Sequence, residues 1–323
     1  MHRSLLTMAA ACLVALIPAP ALAQDYPSQN IKMIISFGPG GGSDIIGRIV
    51  AQRMQEKLGQ PIVVENRAGA GGLLGNEAIA NSPKDGYTIG VQTAGQIIAS
   101  VMTKQMRFDG VEAFDWIGQI ATAGLLIVTR PDSPYKDVKS LVEAAKANPG
   151  KLNFASPGYG ATQHLAAELF KQVTGINAQQ VQYRSSPEAL AALLSNNVDV
   201  LFDTVTALIG QVESGQVRAL AVTGKDRFPA VPNVPTAAES GVAPNYDVNT
   251  WYGLFGPKSM PKPVIAKLNA TLNETIAEPA VSERLIKAGV LVKSSTPEQW
   301  HQYMTSEFKT WSTVRDKAGL EQR

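Results

Sequence analysis

Short, nearly unbroken apolar runs alternate with helical patterns along most of this chain, and that alternation leaves few folds open. "IKMIIS" (31–36), "PIVVE" (61–65) and "YTIGVQ" (87–92) read as strands covered on both faces, as in a parallel sheet. Between them, "SDIIGRIVAQRMQEKL" (43–58) puts Ile45, Ile46, Ile49, Val50, Met54 and Leu58 on one helical stripe. "GLLGNEAIAN" (72–81) supplies a second helix. The order predicts an α/β fold.

The same theme restarts at "LNFASPGYGATQHLAAELFKQ" (152–172) and continues through "QQVQY", "PEALAALLSNN", "VDVLFD", "TALIGQVESG" and "VRALAVTG". Each half has a glycine loop ahead of a helix, so two similar α/β domains are expected, with those loops as counterparts. "LLIVTRPDSPYKDVKS" (125–140) reads as a crossing between them, and the proline-rich stretch 227–255 as the return. The closing segments, 262–289 and 297–317, are amphipathic helices that pack on one domain or strap the two together.

The first 23 residues carry His2 and Arg3, an apolar run over 5–17 and an Ala21-Leu22-Ala23 ending, the pattern of an exported protein's leader. Cleavage is expected before Gln24, placing the mature protein in the periplasm. The only cysteine, Cys12, falls inside the leader, so the mature chain has no disulfide and no thiol nucleophile. A lipoprotein reading of Cys12 is weak because the apolar run continues past it. A retained membrane anchor is disfavoured because the run is short. Without Arg3, the 29 basic residues become 28, against 27 acidic ones. That balance argues against nucleic acid as a partner.

The loop "SFGPGGGSDIIGR" opens a helix. A glycine turn at a helix start offers backbone N–H groups and the positive end of the dipole to an anion. Phosphate motifs fit poorly: no Lys follows the glycines, and Ser43 stands where the dinucleotide fingerprint has Gly or Ala. A carboxylate is the better match for Gly38, Gly40, Gly41, Gly42 and Ser43, with a plain tight turn capped by Ser43 or Asp44 as the structural alternative. In the second half, Gly158 and Gly160 precede Thr162 and His164, and two such loops can clamp both ends of one small molecule. His164 is a ligand donor or a structural residue. Asp203 ends a buried strand, where it meets a ligand or caps the next helix. Trp251 and Tyr252 line a pocket or fill the core between domains. Catalytic machinery is sparse: of three histidines, only His164 is placed as a base, with no G-x-S-x-G and no metal-ligand spacing.

The words and their order also resemble a known family. "YPSQNIKMIISFGPGGGSDIIGRIVAQRMQEKLGQPIVVENRAGAGGLLGNEAIANSPKDGYTIGVQTAG", "LNFASPGYGATQHLAAELF", "YRSSPEALAALLSNNVDVLFD", "VRALAVTG", "VPTAAESG" and "WYGLFGPKSMPKPVIAKLN" are similar to Bug-type periplasmic solute receptors of tripartite tricarboxylate transporters. The likeness covers nearly the whole mature chain. It implies a type II periplasmic-binding-protein fold, with domain 1 at 24–123 and 252–323 and domain 2 at 124–251. It further implies a small carboxylate as ligand, a membrane permease as partner, a monomer, no cofactor and no catalysis.

By the same resemblance, residues 36–44, including Ser36 and Phe37, and the "QTAGQ" loop with Thr93, Ala94 and Gly95 hold a proximal carboxylate through backbone amides and water. Ser156, Gly158, Tyr159, Gly160, Thr162, His164 and Asp203 face the ligand's variable end. Ser36 replaces a frequent proline, and Arg184-Ser185-Ser186 stands where Lys-Gly-Ser is usual. Tyr159 and Gln163 occupy variable positions suited to specificity. A receptor that signals to a membrane partner, and a secreted carboxylate hydrolase or lyase using His164, are the alternatives.

Overall fold

The computed structural model describes residues 26–317 and residue 322; the expected leader, 1–23, lies outside the described residues. In chain order the first part forms β1 (Ile31–Ile35), α1 (Gly42–Leu58), β2 (Ile62–Asn66), α2 (Leu73–Ala80), β3 (Thr88–Thr93), α3 (Ala94–Met102) and β4 (Phe114–Thr129). The second part follows with α4 (Val138–Ala147), β5 (Asn153–Pro157), α5 (Thr162–Thr174), β6 (Gln179–Tyr183), α6 (Ser186–Leu194), β7 (Val200–Thr204), α7 (Val205–Glu213) and β8 (Arg218–Val222). The chain then returns through β9 (Asn249–Pro257), α8 (Lys262–Ala277), α9 (Pro279–Lys287), β10 (Leu291–Val292) and α10 (Pro297–Lys317).

Two sheets of the same strand order result, β2-β1-β3-β9-β4 and β6-β5-β7-β4-β8. β4 belongs to both. Its first part pairs antiparallel with β9, from Phe114 opposite Pro257 to Gly124 opposite Asn249. Its last part lies antiparallel between β7 and β8. β1 runs parallel to its neighbours β2 and β3, and β5 runs parallel to β6 and β7. The strand order therefore reverses beside β1 and beside β5, and ligands of open α/β sheets bind outside the carboxyl ends of strands at such reversals.

The helical stripe of α1 packs as expected, with Ile46, Val50, Met54 and Leu58 buried and Ile45 and Ile49 half-covered. Gly59, at φ 71°, ends the helix in the left-handed conformation that glycine adopts without a Cβ penalty. The last helices cover the first lobe on both faces rather than strapping the two lobes. Val264, Leu268, Leu272 and Ile276 of α8 join Ile31, Met33 and Val91 on one face. Trp300 and Met304 of α10 join Phe114, Trp251 and Phe255 on the other. The second lobe has apolar clusters of its own on its two faces. Each such fully buried Leu, Ile or Met adds about 1.5–3 kcal/mol.

Candidate functional site

The loop after β1 is held by two hydrogen-bond networks. Asp44, buried, accepts from Gly40 N through Oδ2 at 3.0 Å and from Arg48 Nε and Asn66 Nδ2 through Oδ1, each at 2.9 Å. Asn66 in turn donates to the Phe37 carbonyl at 3.0 Å. On the other side, Ser36 Oγ donates to Asn76 Oδ1 (3.2 Å), Gln96 Nε2 donates to the same oxygen (2.9 Å), and Gln96 Oε1 accepts from Thr93 N (2.7 Å). This second network fixes the start of α3 relative to the loop after β1. Ser36 and Asp44 thus shape the site from behind, and neither lines the cavity between the lobes.

What the loop presents to the cleft is backbone. Gly41 is the N-cap of α1 and Ala161 that of α5, and neither helix has a side-chain cap. The N–H groups of Gly42, Ser43, Thr162 and Gln163 find no acceptor among the described residues. Such groups at a helix start need a partner from outside the helix. The loop N–H groups of the second lobe are already bonded: Gly158 N donates to the Tyr183 carbonyl (2.8 Å) and Gly160 N to His164 Nδ1 (3.0 Å). His164 Nδ1 is therefore an acceptor, and its ring lies 5.0 Å from that of Tyr159. Neither His164 nor Thr162 lines the cavity, whereas Gln163 does.

The cavity measures about 30 Å³ in space open to a water's centre, room for a couple of waters. Phe37, Gly38, Gly41, Gly42 and Ser43 meet Thr93 from the first lobe and Gln163, Arg184, Ser185, Ser186 and Thr204 from the second. The lobes touch on glycines. A Cβ on Gly42 would collide with Tyr252 Oη and stand 2.8 Å from Thr204 Oγ1; one on Gly38 would stand 3.0 Å from Ser185 Cβ, and one on Gly95 3.0 Å from Thr162 N. Ala94 follows Thr93 at the same helix start and is buried with it. No acidic residue lines the cavity.

Tyr252 and Trp251 part company, as alternate residues of a strand must. Tyr252 reaches the cavity, and its fully buried hydroxyl has no partner in hydrogen-bonding geometry among the described residues. Burial pushes that phenol far above its ordinary value, against the pull of the nearby Thr206 and Thr204 hydroxyls, so it is a neutral donor. Trp251 faces the other way, donating Nε1 to Glu307 at 3.1 Å.

Asp203 lies behind the wall. It is fully buried, with Oδ1 accepting from Thr204 N at 2.7 Å and Gln163 Nε2 at 3.3 Å. Oδ2 has no partner in hydrogen-bonding geometry, although the Ser186 hydroxyl stands near enough to favour the charged form. Burial wins and pushes the carboxyl up to about 6, opposed by Ser186, Thr204 and Gln163. The cap of α7 is Thr204, whose Oγ1 accepts from Ala207 N at 3.2 Å. Ser156, also fully buried, joins Gln180 and Gln182 in side-chain bonds of 3.0 Å.

Arg184, Ser185, Ser186, Thr204 and Thr250 reach the cavity without a sequence signal assigning them to it. The departure at 184–186 from the family's usual wording was the available clue. Among the described residues no cluster of His, Cys, Asp or Glu suits a metal, and no helix is long and apolar enough to cross a membrane.

The chain matches the description "Tripartite tricarboxylate transporter family receptor" over residues 46–320. It is 37% identical over 289 residues to a UPF0065 protein of the tcbD-tcbE intergenic region of Pseudomonas sp. strain P51, covering 90% of this chain and 86% of that one. It is 33% identical to BugT of Bordetella pertussis, covering 94% of both. The periplasmic binding protein BugD superposes with a TM-score of 0.87 at 33% identity, over 92% of this chain and 100% of BugD. An R. palustris protein solved with adipate gives 0.87 at 28%, over 91% and 98% of the two chains. MatC from Rhodopseudomonas palustris with bound malate gives 0.83 at 29%, over 90% and 99%. The family and these neighbours are solute-binding receptors, not enzymes, and the paired sheets and the glycine-lined cleft agree with them: the chain belongs to the tripartite tricarboxylate transporter receptor family.

Proposed function

We propose that this chain is an exported receptor that closes two lobes on a small organic carboxylate and presents it, as a monomer, to the membrane subunits of a tripartite tricarboxylate transporter. The observation that carries the reading is the uncapped starts of α1 and α5, where Gly42, Ser43 and Gln163, each with a backbone N–H lacking an acceptor among the described residues, border a cavity with no acid in its wall. A carboxylate supplies the acceptors that these donors lack, and charge-assisted bonds of this kind are about twice as strong as neutral ones. The relatives solved with adipate and malate bind acids of this class.

Gly41, Gly42, Ser43, Thr93, Gly95, Gln163 and Tyr252 are the groups closest to the ligand in this reading. Gly38, Gly40, Asp44, Gly158, Gly160 and His164 hold the loops that carry them. The apolar clusters, which divide at residues 123–125 and 248–251, support the division into 24–123 with 252–323 and 124–251.

The test is a thermal-shift screen of mature protein against mono-, di- and tricarboxylates, amino acids and aromatic acids, followed by mass spectrometry of any co-purifying ligand. A ligand at about a hundred times its Kd adds roughly 2.7 kcal/mol, so a bound acid is expected to raise Tm by several degrees. No response to any acid overturns the reading.

A further inference from the structure

A second cavity of about 470 Å³ lies between the lobes, walled by Phe37, the 68–72 loop, Tyr159, Gln182, Tyr183 and Arg184. It adjoins the small cavity, since Phe37 and Arg184 line both. Its volume falls in the range of small-molecule sites.

Its charged and amide side chains are Arg184 and Gln182. The Arg184 guanidinium makes no ion pair and no hydrogen bond among the described residues. The neighbouring acid, Glu188, accepts from the Arg184 backbone N–H at 3.1 Å instead. Gln182 Nε2 is buried and has no acceptor, while Gln182 Oε1 is held by Ser156 Oγ at 3.0 Å. No acidic residue lines this cavity either. Phe37, Tyr159 and Tyr183 supply flat apolar walls. Gly71, at φ 65°, lets the 68–72 loop close over the second lobe, since a Cβ there would stand 2.5 Å from the Tyr159 carbonyl.

An unpaired cation and a buried orphan donor beside aromatic walls suit an anion on an apolar body. We infer that the second cavity holds the far half of the ligand and that Arg184 pairs with a second acidic group there, making the preferred ligand a diacid with an apolar or aromatic spacer. The inference rests on the carboxylate-receptor reading for the ligand's near end. Asp203, which does not line either cavity, gives no counterpart for an amine.

The test is calorimetry with matched pairs that differ by one carboxylate, adipate against hexanoate and terephthalate against 4-methylbenzoate, on the full mature protein, R184Q and R184K. The wild type is expected to prefer the diacid of at least one pair by tenfold or more. R184Q should abolish that preference by weakening the diacid while leaving the monoacid within about twofold, and R184K should restore part of it. Melting curves of the free variants should match the wild type, because Arg184 is exposed and unpaired. A wild type that binds monoacids and diacids alike, a preference that survives R184Q, or an equal loss for both members of a pair overturns the inference while leaving the carboxylate receptor standing. If no acid of either kind binds, both fail together.

Discussion

Asp44 reaches back over the loop that precedes it and accepts the Gly40 N–H at 3.0 Å, which fixes the shape of that loop. With Arg48 and Asn66 it forms a buried clamp on the Phe37 carbonyl. Removing it leaves three donors without their acceptor. Asp44→Ala should cost about 1–3 kcal/mol of stability, read by urea unfolding of ligand-free protein, and should weaken carboxylate binding although Asp44 does not line the cavity. Unchanged unfolding would show that the clamp holds nothing.

Gly42→Ala places a methyl against Tyr252 Oη and Thr204 Oγ1. It should act as a wedge: carboxylate affinity falls more than tenfold, and small-angle scattering with ligand present reports a larger radius than the wild type. Gly59→Ala is the matched control. Unlike Gly42, that glycine stands at positive φ, and a Cβ there meets nothing within 4 Å, so the change should cost about 1–2 kcal/mol of stability through backbone strain alone and leave affinity unchanged.

Tyr252→Phe removes one oxygen that has no partner in hydrogen-bonding geometry. Without ligand, the variant should be as stable as the wild type or slightly more so, because a buried unpaired hydroxyl is lost. With ligand it should lose about 0.5–1.5 kcal/mol of binding, measured by calorimetry. Equal affinity would take the phenol out of the site.

Burial pushes the Asp203 carboxyl up to about 6 in the folded protein, from an ordinary value of 3.8. Its folded pKa is raised, so the folded protein binds the proton more tightly, and the group's contribution to stability falls as pH rises from about 4 to about 6. Above that window the burial penalty is fully present. Asp203→Asn should therefore stabilise the folded protein at pH 7.5 by about 1–3 kcal/mol, read as a higher Tm. The gap should shrink below pH 4. A variant less stable than the wild type at pH 7.5 would mean that the ionised carboxylate, with Thr204 and Gln163, is a net stabiliser.

Much of this fold is legible in the chain because the burial pattern is local. The stripe of α1 and the apolar runs of β1 and β3 announce themselves, and so does the glycine turn at 38–42. The site is less legible. From the residues alone His164 and Asp203 read as either ligand contacts or structural groups; in the structure Gly160 N donates to His164 Nδ1, and Thr204 N and Gln163 Nε2 donate to Asp203 Oδ1. Whether Trp251 or Tyr252 faces the cleft depends on the register of β9, which pairs Tyr252 with Thr93 and Ala121. Thr250 and Arg184 arrive from distant parts of the chain, and no local pattern marks them.

β4 gives its first part to one sheet and its last part to the other, and β9 re-enters the first sheet beside it. The first lobe is therefore made of two separate stretches with the second lobe inserted between them, and a break in the shared strand would strip both sheets at once. Exchanging one half with that of a relative would need a joint inside β4 itself, in the middle of paired strand. Changing a loop residue at a strand end disturbs no such joint and leaves the common strand whole.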